Sequence, residues 1–366
     1  VHKKPSGVWI MAYTTIDDSS AHFQTALYTG NNSDNAITND GNSDLQPDML
    51  WVKNRGASQN HIVFDSSRGF NGDSDSLYLE PNNTDAEAHD DDNHLKSFNS
   101  DGFTMQASSS RSNNSSYTYV AWQWKANGGT TSSNTSGSIT STVQANTTSG
   151  FSIITYTGNA TDDATFGHGL GAVPHFIIIK ARNRTNGWPV YHRSQGADKA
   201  LFLSTNAAVE SSSFYQATPT STLITLNDHS NVNNENGNYI CYCFTEIQGY
   251  SKIGSYEGNG NADGPFVYTG FKPAWVMFKR TDSTNDWLVF DHKRDTYNLT
   301  GNVLYANEAG AEQADALHSG SLDLLSNGFK MRETGNSGNG SGASYIYAAF
   351  AEQPFVTSGG VPCTAR

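Results

Sequence analysis

A chain of 366 residues with a formal net charge of −13 is long enough for two or three domains, and its acidity excludes nucleic acid, whose phosphates demand clustered Lys and Arg. Only 36% of the residues are hydrophobic and 16% charged, against typical shares of about 45–50% and about 25%; Ser, Thr, Asn and Gly make up the difference and favour turns and short strands over helices. No window carries a sustained i, i+3, i+4, i+7 apolar stripe and no apolar run approaches the roughly 18 residues that cross a bilayer, so the expectation is an all-β fold without membrane insertion.

Residues 1–22 read as an approach segment, in which Val8-Trp-Ile-Met-Ala-Tyr13 has the character of a short strand or a tether. Val rather than Met at position 1 fits either a processed or an incomplete N-terminus. From residue 23 a frame begins that the chain spells three times. It opens on an aromatic-x-Gly turn: Tyr28-Thr-Gly30, Tyr156-Thr-Gly158 and Tyr256-Glu-Gly258. Next come a proline, five nearly all apolar residues and a lysine: Pro47-Asp-Met-Leu-Trp-Val-Lys53, Pro174-His-Phe-Ile-Ile-Ile-Lys180 and Pro273-Ala-Trp-Val-Met-Phe-Lys279. Apolar side chains on both faces of such a strand predict cover on both sides. A polar loop then leads to a second apolar run, Val63-Phe-Asp65, Val190-Tyr-His192 and Val289-Phe-Asp291, which is the pattern of a β-hairpin. Pro189 beside this run predicts an edge strand in the second copy, because proline cannot donate to a ladder. Each copy closes on an aromatic pair, read as Tyr117 and Trp122, Tyr239 and Phe244, and Tyr345 and Phe350. Gly102-Phe-Thr-Met105 and Gly328-Phe-Lys-Met331 add a segment that the second copy lacks.

Repetition at this spacing marks whole small domains, since solenoid periods run about 20–50 residues. The expected architecture is three tandem antiparallel β-sandwich domains of jelly-roll or lectin-like type, at residues 23–126, 151–248 and 249–366. Residues 127–150 are rich in Ser, Thr, Asn and Gly and read as a linker, flexible in its first half, whose second half offers an edge strand, Ile139 to Val143, to the second copy. The short join after Phe244 predicts that the second and third copies pack as a pair. Cys241, Cys243 and Cys363 imply no disulfide framework; the first two, spaced by two along a strand, share a face.

Recurrence of Lys53, Lys180 and Lys279 invites a catalytic role. A duplicated scaffold keeps its scaffold residues, however, so these lysines read as structural, with buried stems and ammonium groups at the rim. Lys180 and Lys279 fall opposite Trp188 and Trp287 in simple register, a geometry for cation–π contact. Asp65 and Asp291 occupy matching places that His192 takes in the second copy, which reads as a tolerant surface position. His89-Asp-Asp-Asp-Asn-His94 reads as a solvated acidic loop, with a Ca²⁺ site at Asp90 and Asp92 as the weaker alternative; no other cofactor is implied. For ligand binding the candidates are Trp188 with Asn186, and Trp287 with Asn285 and Asp286. A sugar offers an apolar face to an aromatic ring and a polar rim to amides and carboxylates. The sequence holds no nucleophile elbow, zinc helix, P-loop or spaced cysteine pair, so the chain reads as non-enzymatic.

The strings Gly150-Phe-Ser-Ile-Ile-Thr-Tyr-Thr-Gly158, Gly167-His-Gly-Leu-Gly171, Gly264-Pro-Phe-Val-Tyr-Thr-Gly-Phe-Lys-Pro273 and Leu325-Ser-Asn-Gly-Phe329 resemble an uncharacterised repeat-domain family of structural proteins of tailed, mostly marine bacteriophages. The ending from Tyr345-Ile-Tyr-Ala-Ala-Phe350 through Val361-Pro-Cys-Thr-Ala-Arg366 is similar to it as well. The resemblance implies a virion component, often tail-fibre-like, and brings no catalytic residues with it. The expectation is therefore a tail-fibre or receptor-binding protein on the particle surface that contacts host-surface glycans and other virion proteins, as a homo-oligomer with a trimer favoured. The alternatives are a capsid decoration or head-fibre protein and, behind it, a polysaccharide depolymerase.

Overall fold

The computed structural model describes residues 2–3, 9–10, 12–70, 76–89, 94–314 and 321–364. The chain is all-β, built from several antiparallel sheets. A leading pair, β1 (His2–Lys3) and β2 (Trp9–Ile10), is followed by three main sheets. In the first, β3 (Phe23–Thr29), β11 (Thr118–Trp124), β5 (Met49–Asn54) and β6 (Ile62–Asp65) lie side by side in that order. A smaller sheet is formed by β4 (Asn35–Ile37), β10 (Phe103–Met105) and β9 (Leu95–Phe98), and β7 (Leu77–Tyr78) pairs with β8 (Ala88–His89).

The second main sheet runs β12 (Ser132–Asn134), β13 (Ser141–Asn146), β14 (Phe151–Thr157), β21 (Asn238–Phe244), β16 (Phe176–Ala181), β17 (Pro189–His192), β18 (Lys199–Phe202) and β19 (Glu210–Ser211). Its small companion is β15 (Ala164–Gly167) with β20 (Leu223–Leu226). The third runs β22 (Ser251–Glu257), β30 (Ser344–Pro354), β24 (Phe271–Arg280), β25 (Trp287–Asp291), β26 (Asn302–Tyr305) and β27 (Gln313–Ala314). It is accompanied by β23 (Phe266–Tyr268), β29 (Gly328–Met331) and β28 (Leu322–Leu325).

Four strands have the same neighbours in every main sheet, and their registers match residue for residue. Trp124 stands across from Phe23 and Met49, Phe244 from Phe151 and Phe176, and Phe350 from Ser251 and Trp275. The closing aromatic pair of the first copy is therefore Tyr119 and Trp124 rather than Tyr117 and Trp122. A slip of two positions keeps every side chain on its face, so alternation alone could not separate the two readings.

The Pro-to-Lys strands are buried along their whole length, as apolar residues on both faces demand. On the outer face of the first main sheet, Leu50, Val52 and Ala121 pack with Phe103, Met105 and Leu95 of the small sheet. In the second, Ile177, Ile179 and Cys241 pack with Phe166, Ile224 and Leu226. Leu223, Ile224 and Leu226 of β20 thus fill the place held elsewhere by the Gly-Phe-x-Met segment. The inner faces of all three sheets share a single cluster. At its centre the equivalent residues Trp124, Phe244 and Phe350 meet, with ring centroids 6.3 Å apart for Trp124 and Phe244 and 5.6 Å for each of the other two pairs. All three sheets meet there, so the expected pairing of the second and third copies alone is too narrow.

Two further expectations are corrected. The first half of residues 127–150 is not a flexible spacer, because β12 lies in it and pairs with β13; the strand expected at Ile139–Val143 is β13, at Ser141–Asn146, which pairs with β14 but is covered by β12 and so is not the edge. Ser141 and Val143 point into the protein in alternation, and that small amphipathic signal is what marks the strand within a composition that otherwise reads as linker. Nor is the strand of Pro189 an edge, since β17 lies between β16 and β18. Pro189 heads the strand, a position where a missing N–H is tolerated.

A polar anchor fixes each unit. The Tyr119, Tyr239 and Tyr345 hydroxyls accept from the N–H of Asn114, Asn234 and Gly340 at 2.9, 2.8 and 2.8 Å and donate to the carbonyls of Ser110, Ser230 and Asn336. The fully buried Asn113, Asn233 and Asn339 accept from the N–H of Asn31, Asn159 and Asn259, each of which follows the turn glycine. A Cβ on Gly30, Gly158 or Gly258 would sit 2.3, 2.3 or 2.2 Å from a carbonyl oxygen of that same loop, which is why the turn is spelled with glycine. Replacing any one of the three tyrosines by Phe removes the hydroxyl that a loop N–H donates to and that itself ties down a loop carbonyl. We expect a loss of about 1–3 kcal/mol in each case, read from urea denaturation; three variants as stable as the parent would remove the anchor role.

Candidate functional site

Trp188 and Trp287, the aromatic candidates, are both 1% exposed. Their indole N–H groups donate to the carbonyls of Asn83 and Phe202, at 3.0 and 2.9 Å, each on the preceding unit of the chain. His61 holds the matching place in the first sheet. It accepts from the Trp51 indole through Nδ1 at 2.9 Å and donates from Nε2 to Tyr305 O at 3.0 Å. No face of either tryptophan is open to a sugar. The loop residues beside them are also committed: Asn186 donates to Asn231 at 2.8 Å, Asn285 to the Asn336 carbonyl at 3.1 Å, and Asp286 accepts from Asn307 at 2.7 Å. Asp90 and Asp92 lie outside the described residues, among which no group of three or more metal-ligating side chains is found.

These groups belong to joints between the sheets, and the joints form a closed cycle. The loop after β5 meets the third unit through Gln59 N to Ala309 O and Glu312 N to Arg55 O, both at 2.9 Å. The loop after β16 meets the first unit through Asn186 N to Thr84 O and Glu87 N to Arg182 O. The loop after β24 meets the second through Asn285 N to Asn206 O and Val209 N to Thr281 O.

Each recurring lysine is fully buried at one of these joints. Lys53 donates to Asn54 O and, across the joint, to Ala309 O; Lys180 donates to Asn186 O and across to Thr84 O; Lys279 donates to Arg280 O. The ammonium groups therefore point at carbonyls instead of the rings of Trp188 and Trp287, although Lys279 does stand opposite Trp287. The cation seated over a ring is the Arg294 guanidinium, 5.8 Å from the centre of Trp122. Burial pushes Lys53 down to about 7 and Lys180 and Lys279 down to about 8.

Behind the lysines two joints carry the same buried ionic chain. Arg55 binds Glu312, Glu312 binds Arg294, and Arg294 binds Asp291, which also accepts from the Trp122 indole at 3.0 Å. Arg182 binds Glu87, Glu87 binds Arg68, and Arg68 binds Asp65, which also accepts from the Tyr242 hydroxyl at 2.7 Å. Asp65, Asp291 and His192 are thus interior positions, at most 1% exposed, and not the tolerant surface site expected. Burial raises the Asp291 carboxyl, but the Arg294 charge beside it wins and holds it below its ordinary value. At the third joint the matching places are Thr281, Val209, Gln195 and His192, without a charge among them. His192, pushed down to about 3 by burial, bonds neutrally to Tyr347 O at 3.3 Å. The whole set changes together because removing one member of a buried ionic chain leaves an uncompensated charge.

At the other end of the joints the three spaces differ. Between the first and second sheets, Gln144 of β13 donates to Ser66 and Ser67 and accepts from Asn127 and Gly129, while Asp48 accepts three backbone N–H groups of residues 126–129. Between the second and third, Glu246 holds Arg193 of its own unit and reaches across to Lys252 and Ile253 N, each at 3.0 Å. Between the third and first, Glu352, the counterpart of Glu246, turns to Lys272. Gln24, the counterpart of Lys252, folds back onto Gly41 N and the carbonyls of Ser20 and Ser43. A cleft of about 240 Å³ remains, with Phe23 among its lining residues.

The recurring residues define an all-β protein whose three sheets are locked into one body by buried polar joints. The chain belongs to the family described as a domain of unknown function, DUF7483, which matches residues 18–354 and so takes in all three main sheets as one stretch. Comparison with curated proteins and with solved structures finds no match.

The lysines set a pH dependence. Their folded-state values lie below the ordinary 10.5, so above pH 7–8 the unfolded chain holds protons that the folded chain gives up. Stability then rises with pH, by up to about 1.4 kcal/mol per pH unit for each lysine, and is flat below. We expect Lys53→Met to flatten the slope between pH 7.5 and 9.5 relative to the parent in parallel urea titrations. An unchanged difference between the two proteins across that window would place the ammonium in contact with water.

Proposed function

We propose that the chain consists of three antiparallel, lectin-like β-sandwich modules, residues 23–126, 151–248 and 249–366, closed into a ring. We further propose that it serves as a non-enzymatic virion structural protein of a tailed bacteriophage, a tail-fibre or receptor-binding component that touches host-surface glycans. What supports the module reading is the repeated strand order, the matching registers and the meeting of Trp124, Phe244 and Phe350 at one axis. The functional reading is carried by one observation: the buried polar residues that recur in all three units are spent on anchors and joints, while the cleft between the third and first sheets departs from that repetition. Such a molecule is a rigid carrier of surface loops, the arrangement recognition proteins share.

Within this reading the chain still assembles as a homo-oligomer, with a trimer favoured. Three head-to-tail joints that close on themselves leave no copy of that interface free for another chain, so contacts with other virion proteins fall to the outer surfaces.

Two measurements test this reading. Purified protein should bind host cells, and periodate treatment of the cells, which cleaves sugar diols, should abolish binding; undiminished binding would remove the glycan from the proposal. Antibody against the chain should label the tail of the particle in electron micrographs, and labelling spread over the capsid would favour the decoration reading instead.

A further inference from the structure

We propose that the cleft between the third and first main sheets binds one uncharged sugar ring, the terminal unit of a neutral surface glycan. This rests on the glycan-contact reading above and adds the place and the chemical class.

The cleft is open where its two counterparts are closed. At one counterpart the Gln144 amide fills the space with four hydrogen bonds; at the other the Glu246 carboxylate spans it. Two of the three joints therefore show what the space prefers: a polar group with several oxygen or nitrogen atoms, bonded on more than one side. At the third joint the chain supplies no such group. The Thr25 hydroxyl, which lines the cleft, is buried without a hydrogen-bond partner, and a ligand hydroxyl would satisfy it.

The lining sets the ligand's chemistry. Gln24, Asp40, Asn42, His292, Lys293 and Glu352 surround the space over Phe23, an array of donors and acceptors beside an aromatic ring, which suits hydroxyls around an apolar ring face. Its charges are already answered. Lys293 holds both oxygens of Asp40 at 2.8 and 2.6 Å, Lys272 holds Glu352 at 3.0 Å, and Asp18 accepts from Ser20 and Ser43. No cation is left over for a carboxylate or sulfate, and the chain's net charge of −13 repels acidic sugars further. The volume of about 240 Å³ lies below the roughly 300–1,000 Å³ of drug-sized pockets, so it holds one ring and not a polymer.

The test is a glycan array with neutral, amino and acidic oligosaccharides, followed by saturation-transfer NMR with galactose, glucose, mannose and N-acetylglucosamine on the parent, Asp40→Ala, Lys293→Ala and Asn42→Trp. All three substitutions lie at the rim, and unchanged melting temperatures would show that the variants fold. We expect binding to neutral termini, at least about tenfold weaker in each variant, with sialylated and uronic termini silent. Phe266→Ala and Tyr268→Ala, on the exposed edge strand β23, should bind as the parent does. If the parent binds sugars and the rim variants match it, or only the β23 variants lose binding, the cleft is overturned and the glycan reading stands. If acidic termini bind best, the ligand class is overturned. If no glycan binds, the glycan reading and the cleft fall together.

Discussion

Three aromatic side chains, Trp124, Phe244 and Phe350, meet where no single sheet could hide them. A sheet that is apolar on both faces needs two covers. Its outer face takes the small companion sheet, and its inner face takes the other two main sheets. Large aromatics contribute most to such burial because each removes about 150–250 Å² from water. Phe23, Phe151 and Trp275 crowd round the same centre, stacked or edge-on to the three, so no unit can leave without exposing the inner faces of the others.

Bringing the sheets together buries the ends of their hairpin loops, and buried backbone groups must be satisfied. The lysines meet that need. An ammonium carries donors and no acceptor, and at each joint it is placed against loop carbonyls, among them Ala309 O and Thr84 O, which accept a backbone N–H as well. Burying that cation is unfavourable, as its lowered pKa records; at Lys53 and Lys180 three carbonyl dipoles, one of them across the joint, offset the cost, while Lys279 is held by the Arg280 carbonyl. The ionic chains behind the lysines follow the same logic from the other side. Arg294 with Asp291 and Arg68 with Asp65 are wholly buried pairs, stable only as complete sets. His192, Gln195, Val209 and Thr281 are the other self-consistent solution, neutral throughout.

The triplication, the strand content, the hairpins and the double cover of the Pro-to-Lys strands were legible in the sequence because spacing and alternation carry them. The roles of polar residues were legible only where a partner lay close in sequence. Asp65 and Asp291 read as surface residues because their cover comes from units far along the chain; the arginine three positions later in both copies, against Gln195 in the second, was the available signal. Trp188 and Trp287 read as a sugar platform because an aromatic beside Asn and Asp looks alike at a binding site and at a joint. The anchors went unseen, although Asn113, Asn233 and Asn339 each stand six residues before the closing tyrosine. That spacing appears only once Tyr119, not Tyr117, is taken as the closing tyrosine, and the register that decides between them is a contact with β5.

A molecule that repeats itself three times is its own control. A residue held in all three units can be assigned to the scaffold without any outside comparison, since each unit must solve the same packing problem. Places where the units part company divide in two. At the neutral joint the departure is coordinated, four positions changing so that the interior stays satisfied, and nothing is left open. At the cleft the departure is not closed in this way: Glu352 and Gln24 turn aside, no side chain takes the space, and Thr25 is left buried without a partner. A buried hydroxyl without a bond costs free energy. Packing alone gives no reason to keep that vacancy when two neighbouring joints show how readily this fold fills it.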